Sequence, residues 1–286
     1  MHHALAAAHA VAAADHSEHH EDWADHQAAP SAAARSAALT AVSASASRQR
    51  VVMPRWPWHL LWHLLWNLIA PPRCITCRRR GTLLCPDCLH ALPMLPPNVC
   101  RRCAAPRLRT THKCRACARL SSSLHSVRAA YCYAGAARTA VHVLKFGAGR
   151  QAAAVLGELV RRHVKHRPLR AELVIPVPLA PSRQRQRGYN QAALLAEQLT
   201  GAIGGQLITD ALTREDRPAQ STLGAAERLV NLHGSIRCAR PDVVRARRVL
   251  LVDDVMTTGA TLSACADALA ASGARQVLGL VFARTL

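Results

Sequence analysis

At 286 residues, half of them apolar, the chain has material for one ordinary core of roughly 100 to 200 residues and a smaller attached module. The formal charge is +20 and all but three of the 37 basic residues are arginine, so the composition favours polyanions (nucleic acid, phosphorylated metabolites, an anionic membrane face) and excludes cationic partners. Eleven cysteines would suit a secreted disulfide scaffold, but eight of them fall in Cys-x-x-Cys pairs, the spacing of zinc sites in a reducing compartment.

No stretch reaches the roughly 18 to 20 apolar residues of a membrane-spanning helix, and no basic segment followed by an apolar run opens the chain, so a soluble cytoplasmic protein is expected. Residues 1–52 are Ala-, His- and Ser-rich without periodic large apolar side chains and read as a disordered tail. Within residues 53–71, Trp58, Trp62 and Trp66 recur at i, i+4 and i+8, which predicts a short amphipathic helix ended by Pro71-Pro72. It docks either on the protein's own core or on a membrane surface.

Residues 72–120 hold Cys74/Cys77, Cys85/Cys88, Cys100/Cys103 and Cys114/Cys117. Two thiolates separated by two residues grip a metal from one tight turn, and two such knuckles complete a tetrahedral S4 site, so two structural Zn²⁺ ions are expected. Sequential pairing is the default, with interleaved pairing left open. Closed sites of this kind are expected to fold their module independently of the C-terminal domain.

Residues 121–286 alternate strand-like and helix-like segments: a strand at 127–133, a helix at 151–163, a buried strand at 173–177, a helix at 191–199, a buried strand at 249–252, a helix at 260–271 and a last strand at 276–282. Short apolar runs separated by helices predict an α/β domain with a parallel sheet covered on both faces. Ligands bind such sheets beyond the carboxyl ends of the strands.

There the chemistry concentrates. The run Val249-Leu-Leu-Val252 ends in Asp253-Asp254, two adjacent carboxylates that repel each other unless ribose hydroxyls or a nearby Mg²⁺ compensate them. Thr257-Thr-Gly-Ala-Thr261 then supplies hydroxyls, a flexible glycine and a helix start whose amide groups suit a 5′-phosphate. The alternative is that the aspartates cap the helix and the threonines only turn the chain. Arg183, Arg185 and Arg187 alternate, so an extended loop there projects them to one side as a phosphate fork, or else they form a solvated basic surface. Lys145, a lysine in an arginine-dominated chain, is either a point charge for pyrophosphate or an ordinary exposed residue.

The thirteen residues from Val249 to Thr261 resemble the signature of type I phosphoribosyltransferases. That resemblance implies that Asp253 and Asp254 hold the ribose of 5-phosphoribosyl-1-pyrophosphate (PRPP), and that Thr257, Thr258, Gly259, Ala260 and Thr261 hold its 5′-phosphate. Ile175-Pro-Val-Pro178, Arg187-Gly-Tyr-Asn-Gln191, Leu144-Lys-Phe146 and the spaced set Arg214, Gln220, Leu223, Arg228 and Asn231 narrow the resemblance, together with the double zinc ribbon, to the ComF/GntX family. The resemblance spans roughly residues 72–286. It implies a type I phosphoribosyltransferase-like parallel sheet with helices on both faces behind a small double zinc-ribbon module. It also implies a pyrophosphate or substrate side made by Lys145, Arg183, Arg187, Gln220, Arg228 and Asn231, and Mg²⁺ accompanying PRPP. Two departures concern packing: Ala104 stands where the family usually has glycine, and Ile236 where it usually has phenylalanine.

Two functions are expected. One is an enzyme using Mg-PRPP, with pyrophosphate leaving as an acceptor nitrogen attacks the anomeric carbon; no residue announces itself as the acceptor's base. The other is a non-catalytic protein that handles single-stranded nucleic acid alongside DNA-uptake proteins and uses the same pocket as a ligand sensor.

Overall fold

The computed structural model describes residues 71–107, 114–216 and 234–286. The expected tail at 1–52, the tryptophan helix, and Gln220, Leu223, Arg228 and Asn231 lie outside the described residues. The first ribbon carries the short helix α1 (Pro86–His90), and the second ends in a 3-10 turn (Arg115–Arg119). Then come β1 (Leu124–Cys132), α2 (Gly135–Phe146), α3 (Gly149–His166), β2 (Leu173–Pro176), α4 (Pro181–Arg187), α5 (Gln191–Ile203), β3 (Gln206–Leu207), β4 (Leu212–Arg214), β5 (Ile236–Cys238), α6 (Pro241–Val244), β6 (Arg248–Met256), α7 (Ala260–Ala271) and β7 (Gln276–Arg284).

Five strands form one parallel sheet in the order β1-β7-β6-β2-β3, while β4 and β5 pair as a separate antiparallel ribbon. The unbroken apolar runs are explained by burial on both faces. In β6, Leu250 and Val252 pack with Leu144, Leu156, Leu195 and Leu199 of α2, α3 and α5, whereas Val249 and Leu251 pack with Leu262, Cys265 and Leu269 of α7. Leu250 and Leu251 are fully buried, each side chain contributing about 1.5–3 kcal/mol of transfer free energy.

This wiring places the site. From β2 the chain passes through α5 to β3 at one side of the sheet; from β6 it passes through α7 to β7 at the other, with the two helices on opposite faces. Adjacent β2 and β6 therefore diverge at their carboxyl ends, the switch point where open α/β sheets leave a crevice for ligands.

The ribbons pack directly against the sheet. Cys100, Cys103, Ala104 and Ala105 belong to the same buried cluster as Leu124, Val127 and Leu251, and the Val127 amide donates to the Arg102 carbonyl at 2.7 Å. Ile75 and Leu92 of the first ribbon join the core on the α2 face, and the Cys132 amide donates to the Pro93 carbonyl at 2.8 Å. Apolar surface of the ribbons is shared with the sheet, which weighs against the expectation of independent folding.

Candidate ligand site and metal centres

The eight paired cysteines form two tetrads, Cys74/Cys77/Cys85/Cys88 and Cys100/Cys103/Cys114/Cys117, the sulfurs of each lying within 4.8 Å of one another. Pairing is sequential. Each opening knuckle is closed by the same bonds: the amides of Arg78 and Ala104 donate to the Cys74 and Cys100 carbonyls at 2.9 and 2.8 Å, and the amides of Cys74 and Cys100 donate to the Arg79 and Ala105 carbonyls at 2.8 and 2.7 Å. That turn puts the residue after the second cysteine in the left-handed region, φ 66° at Arg78 and 57° at Ala104, a conformation that glycine adopts without strain.

The thiols are electrostatically split. Burial raises Cys74, but amide donors from Cys77, Cys85 and Thr76 outweigh it and bring the thiol down to about 6, while burial and then hydrogen bonding to the neighbouring thiols push Cys88 up to about 12. The second tetrad repeats the pattern: Cys100 comes down to about 7 where amides of Cys103 and Arg102 overcome burial, and burial carries Cys103 up to about 11. Four crowded sulfurs of this kind do not ionise together without a cation among them, and a closed S4 donor set fits Zn²⁺.

At the switch point Asp253 and Asp254 lie inside β6, which continues to Met256. Asp254, 2% exposed, faces α2 and α5: Lys145 Nζ approaches its Oδ2 at 2.6 Å as an ion pair, and Gln191 Nε2 donates to its Oδ1 at 3.2 Å. Asp253 accepts the Asp254 amide at 2.8 Å and faces α7. Its carboxyl is held well above the usual range by burial and next by the charge of Asp254. Beside it, burial and then the Asp253 charge push the Cys265 thiol up, while burial and then the charge of Arg183 push the Arg214 guanidinium down. Lys145 touches Asp254 and its charge also reaches Asp253, while Arg214 has Asp253 among its neighbouring charges.

The loop behind them leads into α7. Thr257 and Thr258 are exposed, Gly259 turns with φ 84°, and α7 starts at Ala260. The Ala260 amide donates to the Thr258 hydroxyl at 3.4 Å and neither aspartate caps the helix, so the capping alternative for the aspartates is excluded. Gly259 is held from below: a Cβ there would lie 2.4 Å from Leu120 Cδ2 and 2.5 Å from Met256 Cε. Leu120 ends the second ribbon, and next to it the Ser121 amide donates to Ser263 Oγ at 3.1 Å while the Ser121 hydroxyl bonds Asp267, both on α7.

The arginine fork needs correction. Residues 181–187 are helical, not extended, so alternation at i, i+2 separates the side chains by about 200° instead of aligning them. Arg183 and Arg187 share a face at i, i+4, while Arg185 approaches Asp216 at 3.7 Å. Gly188 ends the helix with φ 79°. Lys145 is not an ordinary exposed residue, because it is paired with Asp254.

Two motifs interlock. Tyr189 donates its hydroxyl to the Leu144 carbonyl at 2.7 Å, and Arg187 bonds Gln191 Oε1 and covers the Phe146 ring at 5.1 Å. Lys145 and Gln191 meet on Asp254. Asn190 caps α5 through the Ala192 amide at 2.9 Å and donates to the Val177 carbonyl at 3.0 Å, tying α5 to the end of β2. Sequence reasoning missed Gln191 as a partner of the acidic pair, although a polar residue one position inside an N-cap asparagine was the available signal.

A double zinc ribbon joined to an α/β sheet with an acidic pair and a phosphate-type loop at the switch point defines a zinc-ribbon phosphoribosyltransferase-fold protein. Family models agree: a double zinc ribbon domain matches residues 65–118 and a phosphoribosyl transferase domain residues 186–284. The DNA utilization protein YhgH of Escherichia coli O157:H7 is 30% identical over 229 residues, 77% of this chain and 100% of that protein. Competence protein F of Haemophilus influenzae is 38% identical over 108 residues, 37% of this chain and 47% of that one, and competence protein ComFC of Bacillus subtilis is 29% identical over 198 residues, 66% and 79%. The chain belongs to the ComF family.

Proposed function

We propose that this protein binds Mg-PRPP, or a closely related phosphoribosyl ligand, in the crevice between β2 and β6, and serves DNA uptake or DNA and nucleotide utilisation in the cytoplasm. The observation that supports the reading is the acidic pair at the switch point followed directly by the threonine–glycine turn that starts α7. Asp253 and Asp254 accept hydrogen bonds from the ribose hydroxyls. Thr257, Thr258 and Thr261 donate hydroxyls, and Ala260 and Thr261 amides, to the 5′-phosphate. Lys145 pairs with Asp254 and orients it toward the crevice. Arg183 and Arg187 stand on the α4 face at the end of β2, the side left for pyrophosphate or a second substrate, and Gln220, Arg228 and Asn231 belong to the same proposal through the family pattern. Mg²⁺ would supply charge neutralisation for the phosphates. The names of the relatives and the +20 charge support a role with nucleic acid.

Calorimetric titration with Mg-PRPP tests the ligand; pyrophosphate release on adding nucleobases or amines tests turnover. Salt-dependent single-strand binding without turnover favours the second reading, a ligand-sensing nucleic-acid protein, which the arginine-dominated charge supports.

A further inference from the structure

One cation at the carboxyl edge of the sheet finds no partner among the described residues. Arg284, the last residue of β7, is only 5% exposed, and its Nε and Nη1 reach no hydrogen-bond acceptor there. A guanidinium is charged at every accessible pH, and burying it unpaired is strongly unfavourable. Its in-register neighbours are Cys132 of β1 and Met256 of β6, neither of which offers a counter-charge. The Tyr133 amide bonds the Arg284 carbonyl at 2.7 Å two residues before α2 begins, and the Thr285 amide bonds the Met256 carbonyl at 3.0 Å just before the phosphate-type loop and α7. The backbone at Arg284 is thus tied to the strand ends that lead into α2 and α7.

We infer that Arg284 is the cation of a second oxyanion subsite, one strand (about 5 Å) from β6, that takes a carboxylate or phosphate group of a small molecule bound beside the phosphoribosyl ligand. The inference rests on the phosphoribosyl reading for its second ligand and is independent of it for the anion. The shared chemistry is an oxyanion accepting from a planar fork; its sources are an acceptor molecule bearing a carboxylate or a free phosphate.

The test is the Nε–Hε resonance of Arg284 in the full-length, zinc-loaded, ¹⁵N-arginine-labelled protein, assigned by its disappearance in Arg284→Met, or in Arg284→Lys if the methionine variant does not fold. Benzoate and inorganic phosphate are titrated separately, and ribose 5-phosphate is titrated into a uniformly labelled sample that reports the amides of 257–261. A saturable shift of the Arg284 signal with either anion is the expected result; benzoate alone identifies the carboxylate-bearing acceptor and phosphate alone the free phosphate. A signal that neither anion moves overturns the subsite. If ribose 5-phosphate shifts the loop amides while Arg284 stays silent, only this inference fails; if Arg284 responds and the loop does not, only the phosphoribosyl reading fails.

Discussion

The Lys145 ammonium lies 2.6 Å from Oδ2 of Asp254, joining the end of α2 to the carboxyl end of β6 across 109 residues of sequence. The pair separates two carboxylates that are neighbours in the chain: Asp254 has a cation and an amide donor, whereas Asp253 carries the unfavourable share of their repulsion.

The two aspartates should therefore respond oppositely to neutralisation. Asp254→Asn leaves a largely buried Lys145 without its carboxylate and is expected to cost about 1–3 kcal/mol at neutral pH. Asp253→Asn should stabilise. Its carboxyl is raised in the folded state, so the native protein loses stability as pH rises from the unfolded value, about 3.9, through the folded one; the gain on substitution is absent below that window and complete above it. Urea denaturation of both variants between acidic and neutral pH checks the signs.

Gly259→Ala should damage fold and ligand binding together. A left-handed φ of 84° costs a non-glycine residue about 1–2 kcal/mol, and the added methyl collides with Leu120 and Met256. Adding Leu120→Ala relieves part of the collision and none of the backbone strain, so the double variant should recover only partly in thermal melts and in ribose 5-phosphate affinity.

Metal analysis should return two Zn²⁺ per chain, and chelation should destabilise the sheet as well as the ribbons, because Cys100, Cys103 and Ala104 share a core with Leu124, Val127 and Leu251. Far-ultraviolet dichroism during a denaturant titration reads this directly. An unchanged sheet transition after zinc removal would contradict the shared core.

Arg78→Gly and Ala104→Gly should each stabilise the zinc-loaded protein by up to about 1 kcal/mol, since both residues hold positive φ in the knuckle turns and glycine adopts it without strain. Paired thermal melts suffice. A loss of stability would mean that the gain in unfolded-chain entropy outweighs the relieved strain.

Much of the sheet was legible because its strands are buried on both faces: Leu173 to Val177 and Val249 to Val252 are unbroken apolar runs, and the helix expected at 260–271 is the one observed. Other elements hid behind weaker signals. In α2 the buried Ala137, Ala140, Val141 and Leu144 have helical spacing, but alanines give it little hydrophobic contrast. For α4 the alternating arginines suggested period two, while Pro181 at its first turn and Gly188 just past its end were the more telling signs of a helix. The strands β4 and β5 are three residues each and depend on tertiary partners. In the site, the acidic pair and the threonine loop are readable from local sequence, whereas Lys145, Gln191 and Arg214 reach the aspartates only through the packing of distant helices and strands.

Calorimetric titration of Mg-PRPP into the zinc-loaded protein and into its Asp253→Asn/Asp254→Asn variant, with a denaturation curve confirming that the variant is folded, tests the phosphoribosyl site most directly. Ribose loses its charged acceptors in the variant, each worth about 1.5–3 kcal/mol, so saturable one-to-one binding should fall by orders of magnitude. Absence of binding by the unaltered protein, or equal affinity in the folded variant, would contradict the assignment of the β2–β6 crevice to PRPP.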